Sequence, residues 1–397
     1  MKFSIKNWFF VAALTSIIII NLSFAFYFWD PGDLDSFLSS GFAVARGLNP
    51  YTAYAIHYSS PEYPALNFNP PLSLLFFAPL SKIDLYTLHP YWIVVSLFCF
   101  FISIILLIQK YKPKYYMIMW VFAFSALGDI LALGQIYIFL LLLITLAWIL
   151  LDEHHDIMAG ILIGILIAIK PNFAIWPLFL FIIQCRKVSI ISFISAIFYS
   201  LLPIIIWGPK VYFEWLPIAL GQVKDALNVS LIGVAIHFHL TWLKIPLMIV
   251  IIGSAAIWSY FKKPNLHNLS GVALLVSLIA SPLAWPTYTI ILIPIFLSRP
   301  WSNNLFIAAA VFLIPAGLLN HLQYSFPSIS NYLGLPYTFG LVILLIDCIL
   351  YPKHIIYFQH ARFSFTNKSN GDSQSVLLQE LNIRPLGSRF KSSARSF

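Results

Sequence analysis

Residues 8–28, WFFVAALTSIIIINLSFAFYF, run directly into residues 29–51, WDPGDLDSFLSSGFAVARGLNPY. The first stretch is about 20 apolar residues, long enough to cross a hydrocarbon core as a helix and longer than the apolar region of a secretory leader. No small-residue cleavage site precedes Trp29, so the stretch reads as a retained first membrane helix. The second stretch presents Asp30, Asp33, Asp35 and Arg46 as soon as that helix ends. The fold class is decided here, because the chain crosses a membrane and emerges among carboxylates.

The rest of the composition agrees. Of 397 residues, 60% are hydrophobic and 9% charged, with 35 Phe, a profile that no water-soluble domain of this length presents. Further apolar runs cover roughly 90–109, 115–131, 133–151, 157–169, 172–184, 188–207, 242–261, 268–282, 285–298, 303–320 and 335–351. They predict an all-α polytopic membrane protein of about 12 transmembrane helices over residues 1–351. Two large polar segments interrupt it, a first external loop at 29–69 and a second at 208–241. Residues 70–83 read either as a short spanning helix or as one packed at the external surface. The runs at 157–169 and 172–184 are short and flank Lys170-Pro171, which makes them half-helices that tilt together or one broken span. Residues 352–397 are basic and Ser-rich with few apolar clusters, the composition of a disordered cytoplasmic tail.

With the N-terminus inside, 17 of the 23 Lys and Arg residues fall on the cytoplasmic side, the asymmetry of the positive-inside rule. The tail and both termini are then cytoplasmic. The formal charge of +9 reflects loops that meet anionic membrane lipids, not nucleic acid. Cys99, Cys185 and Cys348 all lie in apolar runs with no pairing or metal-ligand spacing, which reads as packing. No P-loop and no dinucleotide fingerprint occurs, which argues against an ATP-driven pump. No cofactor is expected, and whether a metal is required stays open.

Several residues invite a chemical reading beside a bland one. Asp30, Asp33 and Asp35 either solvate the loop, with Asp33 as N-cap of a helix running to about Ala45, or place a general base at the height of a lipid headgroup. Capping or solvation is the commoner role for such spacing. Lys170, followed by Pro and Asn, is the best cationic candidate for a developing negative charge, because a lysine at membrane depth is costly and usually has a partner; the alternative is a lysine that snorkels to the interface. Arg46 either pairs with an acidic neighbour or binds phosphate. His237 and His239 would share a face on a strand and not on a helix, and without a third ligand metal binding is the minority reading.

The order of short motifs is itself informative. Asp33-Leu34-Asp35-Ser36-Phe37 is followed by Gly47-Leu48-Asn49-Pro50-Tyr51, Tyr63-Pro64, Pro70-Pro71-Leu72 and Ala78-Pro79-Leu80. Then come Leu133-Gly134-Gln135-Ile136, Ala159-Gly160-Ile161-Leu162-Ile163-Gly164 leading to Lys170-Pro171, and Ser281-Pro282-Leu283-Ala284-Trp285. This series, from about residue 8 to 300, resembles the polyprenol-phosphate-sugar-dependent glycosyltransferases of the GT-C superfamily, especially glycosyltransferase family 87, typified by mycobacterial mannosyltransferases.

The resemblance implies a GT-C architecture in a bacterial inner (plasma) membrane, with the active site facing the periplasm or exterior. It implies transfer of a sugar, mannose by analogy, from a polyprenyl-phosphate donor to a lipid or glycan acceptor. The acidic residue of the first external loop would be the catalytic base. Asp33 matches by its offset from Gly47; Asp35 is a supporting carboxylate, or the base if the loop is shifted. Arg46, Asn49, Tyr51, Tyr63, Gln135, Lys170, Trp285, Thr287 and Tyr288 would bind donor or acceptor. One departure stands out, since the family's late motif commonly reaches a His that touches the donor phosphate, where this chain has Thr287. A threonine hydroxyl offers one hydrogen bond and no charge, and Lys170, Tyr288 or a histidine of the 208–241 loop could compensate. Two rival classes remain: a transporter or flippase for a lipid-linked glycan, which needs no base, and a non-catalytic membrane assembly partner, which would tolerate loss of both Asp33 and Asp35.

Overall fold

A computed structural model describes residues 5–28, 31–52, 66–221 and 227–350, and the elements in these stretches are helical. Tyr63, Asp30 and the tail 352–397 lie outside the described residues. Helix α1 (Ile5–Phe28) turns by 45° into α2 (Gly32–Ala45). A short helix, α3 (Leu74–Leu80), follows a 3-10 turn at Pro71–Ser73. Together these last two segments are ten residues, a rise of about 15 Å against a hydrocarbon core of about 30 Å, so this stretch is too short to cross. It packs on α2 instead. A Cβ on Gly41 would come 2.3 Å from the Phe77 carbonyl oxygen, so only glycine allows the backbones this close.

Helix α4 (Leu85–Tyr111) is the longest, started by Asp84, whose carboxylate accepts from the Thr87 N–H at 3.1 Å. The apolar run expected over 115–131 is two helices, α5 (Tyr115–Ala123) and α6 (Ser125–Leu133), parted at Phe124, whose backbone is extended. The amide of Ser125 at that break donates to the Phe312 carbonyl. Next come α7 (Tyr137–Asp152) and α8 (Asp156–Ile169), a 3-10 turn at Pro171–Ala174, α9 (Ile175–Ile182) and α10 (Arg186–Trp207). Gly160 and Gly164 let α8 and α10 touch: a Cβ at Gly164 would lie 2.4 Å from Ser195 Cβ, the small-x-x-x-small contact of membrane helices.

The 208–241 segment carries α11 (Lys210–Leu220) and α12 (Leu231–His237), and α13 (Lys244–Lys262) and α14 (Leu266–Ile279) follow. His237 closes α12 and His239 occupies the left-handed turn after it, so the pair is not on a strand. Beyond a 3-10 stretch at Pro286–Leu292 lie α15 (Ile293–Leu297), α16 (Asn303–Val311), α17 (Ala316–Ser325) and α18 (Leu335–Leu350).

The centre is α14, buried on every side from His267 to Ile279 and surrounded by α7, α9 and α18. A helix apolar all round belongs in such a place. Among the described residues four helical stretches are long and apolar enough to cross a membrane, or six if each bent pair counts as one span. The expected twelve are not confirmed by this measure, because runs such as 133–151 and 268–282 fold as helices of 16 and 14 residues, a rise of about 24 Å or less. Arg299, in the loop between α15 and α16, is buried, pairs with Asp347 at 3.4 Å and lies against Cys348.

Candidate active site

The site forms where the first turn of α2 meets the turn between α6 and α7. The N-cap of α2 is Pro31, with no side-chain cap, and Asp33 lies inside the first turn. The capping role expected for Asp33 is therefore not what the carboxylate does. Its Oδ2 accepts from Gln135 Nε2 at 2.6 Å, a short, charge-assisted bond. Gln135 is buried, and it reaches Asp33 because of Gly134 before it. Gly134 ends α6 at φ +72, with its N–H on the Ile130 carbonyl, and a Cβ there would strike Leu34 Cβ at 2.5 Å. The Leu-Gly-Gln motif is thus a helix stop that seats the next residue on a carboxylate.

Asp35 is nearly inaccessible and lies two residues from Asp33. Residues two apart on a helix do not share a face, so the two acids do not serve one ligand from the same side. Arg46, at the other end of α2, is about 20 Å of helical rise from Asp33 and stacks on Phe42, its guanidinium 3.3 Å from the ring centre. Asn49 and Tyr51 shape the chain: Asn49 Oδ1 accepts from the Tyr51 N–H at 2.9 Å, and the Tyr51 hydroxyl donates to the Asn69 carbonyl at 3.1 Å.

Lys170 follows the end of α8, where Pro171 prevents the helix from continuing. Its Nζ lies 5.4 Å over the ring of Tyr137 and 5.1 Å over that of Tyr288. The two rings stack at 3.9 Å and share a hydrogen bond between their phenols. Lys170 and Asp33 are close enough for their charges to attract, and Tyr137 also feels the Asp33 charge. Trp285 extends the aromatic group, its ring 5.7 Å from Tyr288 and 6.2 Å from Phe68. Thr287 is buried beside them, and its hydroxyl has no hydrogen-bond partner among the described residues.

A cavity of about 420 Å³ opens beside Lys170. Its polar groups are few, Lys170, Asn172, Ser277, Ser281 and the two tyrosines, while Trp215 and Ile218 of α11 and Met248 and Ile252 of α13 make it mostly apolar. Such a cavity suits a ligand with an anionic head and a hydrocarbon tail. Thr287 is not on its wall; Lys170 and Tyr288 are.

Sequence reasoning missed Tyr137 and Asn228. Tyr137 follows Gln135 by two residues, but it opens an apolar run that gave it no mark. Asn228 is fully buried; its Nδ2 donates to the Pro282 carbonyl at 2.9 Å, and its Oδ1 accepts from Ala284 N at 3.1 Å and from the Ser230 hydroxyl at 2.9 Å. It holds the Ser281–Trp285 segment in place. Gly233 packs so tightly against it that a Cβ would sit 2.3 Å from Asn228 Cγ.

The described residues are helical throughout, and they bring a carboxylate gripped by an amide close to a lysine held over aromatic rings on the wall of a mostly apolar cavity. The family model described as glycosyltransferase family 87 matches residues 67–286, more than half of the chain, and the protein belongs to that family: it is a membrane glycosyltransferase. The matched stretch contains Gln135, Lys170, Asn228 and Trp285; Asp33 precedes it, and Thr287 and Tyr288 follow it. No curated protein sequence and no solved structure matches the chain.

Proposed function

We propose that the protein transfers a sugar, mannose by family analogy, from a polyprenyl-phosphate donor to a hydroxyl of a lipid or glycan acceptor, on the outer face of a bacterial inner membrane, with both termini in the cytoplasm. The observation that carries this reading is Lys170 over the Tyr137–Tyr288 stack, on the wall of a mostly apolar cavity and within electrostatic reach of Asp33.

In this reading Asp33 is the general base. The acceptor oxygen forms a bond to the anomeric carbon as Asp33 takes its proton, and the bond from that carbon to the phosphate oxygen breaks, its electron pair leaving with the polyprenyl phosphate. A single displacement of this kind inverts the anomeric configuration. General base assistance contributes about 10²–10⁴-fold. Gln135 aims the carboxylate, and the N-terminal end of α2 favours its negative charge. Lys170 meets the charge that grows on the departing phosphate. Its ammonium supplies the charge that Thr287 lacks, and the apolar wall from α11 and α13 takes the first isoprene units. Gln135, Trp285 and Tyr288 contact the sugar or the phosphate.

The test is transfer of radiolabelled sugar by the purified full chain, offered polyprenyl-phosphate-mannose or a sugar nucleotide with extracted envelope acceptors. Product from the lipid-linked donor alone, lost on Asp33→Asn while donor binding is retained, supports the reading. Product from the sugar nucleotide, or movement of lipid-linked glycan across vesicles with no transfer, overturns it.

A further inference from the structure

The grip of Gln135 on Asp33 is only as good as the end of α6 that presents it. The last turn of any helix leaves carbonyls without partners inside the helix. In α6 the Ile130 carbonyl is taken by the N–H groups of Gly134 and Gln135. The next carbonyl, that of Leu131, points at a side chain from another helix: His89 of α4 donates to it from Nε2 at 3.0 Å, across 42 residues of sequence. Because the acceptor is a carbonyl, the ring proton must sit on Nε2. His89 is half-buried, in the second turn of the α4 helix that Asp84 caps. After Ala132 and Leu133 the chain makes its left-handed turn at Gly134 and delivers Gln135 to the carboxylate.

We infer that His89 is a positioning residue for the transfer reaction: it fastens the C-terminal turn of α6 and, through Gly134, fixes the Gln135 amide against Asp33. This rests on the reading of Asp33 as the base. His89 touches no reacting atom. Its imidazole matches two needs of that turn at once, a donor for an open carbonyl and a favourable partial charge at a helix C-terminus. Without it the Leu131 carbonyl loses its only side-chain donor among the described residues, the turn gains freedom, and the 2.6 Å bond to Asp33 lengthens or is made part of the time. A misplacement of that size at a base lowers the rate of the chemical step and leaves donor binding alone.

The experiment is steady-state transfer by the full chain in lipid nanodiscs, with kcat and the donor KM read separately. His89→Phe keeps the ring volume without the donor; His89→Gln restores an N–H at the reach of Nε2. The expected result is a fall in kcat of about five- to tenfold for His89→Phe, the range that loss of one hydrogen bond produces, with donor KM unchanged and most of kcat recovered in His89→Gln. Placed on a Gln135→Ala background, His89→Phe should add little further loss, since both act through one amide. An unchanged kcat in folded His89→Phe, or a full additional loss in the double variant, would overturn the inference. Failure of the base itself reads differently: Asp33→Asn would then retain transfer whatever His89 does.

Discussion

Helix α7 joins two clusters of charge that are put together in opposite ways. At its first residue, Tyr137 lies under Lys170, whose ammonium meets ring faces and the field of Asp33 on the wall of a cavity. At its last residue, Asp152 accepts from His267 Nε2 at 2.9 Å and pairs with Lys110 at 3.0 Å, while Lys110 also reaches Glu153 at 3.0 Å. Asp152 stands past the apolar part of the helix, and the His267 bond, with the Lys110 charge beside it, holds its carboxyl down to about 2. In the second cluster every charge has a partner in direct contact, and the contacts tie α4, α7 and α14 together. In the first, Lys170 has ring faces beside it and lines a cavity. Direct pairing suits a structural tie, and a cation on a cavity wall suits a candidate site.

The comparison is broken most directly at Asp33. Asp33→Asn should lower transfer by about 10²–10⁴-fold without unfolding the protein, whereas Asp35→Asn, on the other face of α2, should keep most of the rate; single-turnover transfer distinguishes the two. Lys170→Gln should weaken binding of polyprenyl phosphate by about 10- to 100-fold, the worth of a charged hydrogen bond, and Tyr137→Leu should reproduce part of that loss while Tyr137→Phe keeps the ring and most of the affinity; titration with the product lipid reads all three. Gly134→Ala meets Leu34 and needs a left-handed backbone, so it should cost about 1–3 kcal/mol in stability and a larger share of activity than of fold.

The smallest effect on catalysis belongs to the directly paired end. Asp152→Asn should lower thermal stability by about 1 kcal/mol, since the carboxylate is partly exposed, and leave kcat per folded molecule unchanged. The sign of its pH dependence follows from the depressed pKa. The stabilisation is complete above the usual carboxylate range and is lost as pH falls toward about 2. Thermal unfolding of native and Asp152→Asn chains at falling pH should converge there.

Much of the architecture was legible because apolar runs and breakers report helices directly. The stop at Ala45 and the interruption at Lys170-Pro171 follow from composition and Pro placement, whereas α4 starts at Leu85, ahead of the apolar run expected from 90, and carries Pro90 inside it. The number of spans was not, since an apolar run says nothing about whether its helix stands in lipid or lies against other helices; α14 is as apolar as a span and is enclosed by protein. The break at Phe124 leaves no local trace, because it is satisfied from Phe312, far along the chain. The site divides the same way. Asp33, Gln135 and Lys170 carried chemical or motif signals and come together in the structure, whereas Tyr137, Asn228 and His89 matter through partners that no nearby residue announces. Of the two readings open for Asp33, the cap is removed by the backbone, which starts α2 two residues earlier with Pro31 as N-cap.

Helix α11 carries a consequence for how the enzyme must be handled. Trp215 and Ile218 face the cavity, with the Trp215 indole donating to the Phe68 carbonyl at 3.2 Å, while Phe213, Leu216 and Leu220 on its other side are exposed. Across the cavity, α13 is bare along most of its length. Both walls therefore have exposed apolar backs, the kind of surface that acyl chains cover in a membrane protein. The solvent of this enzyme is part of its pocket, so the choice of lipid or detergent around the purified protein acts on substrate affinity much as a change in the amino-acid sequence would.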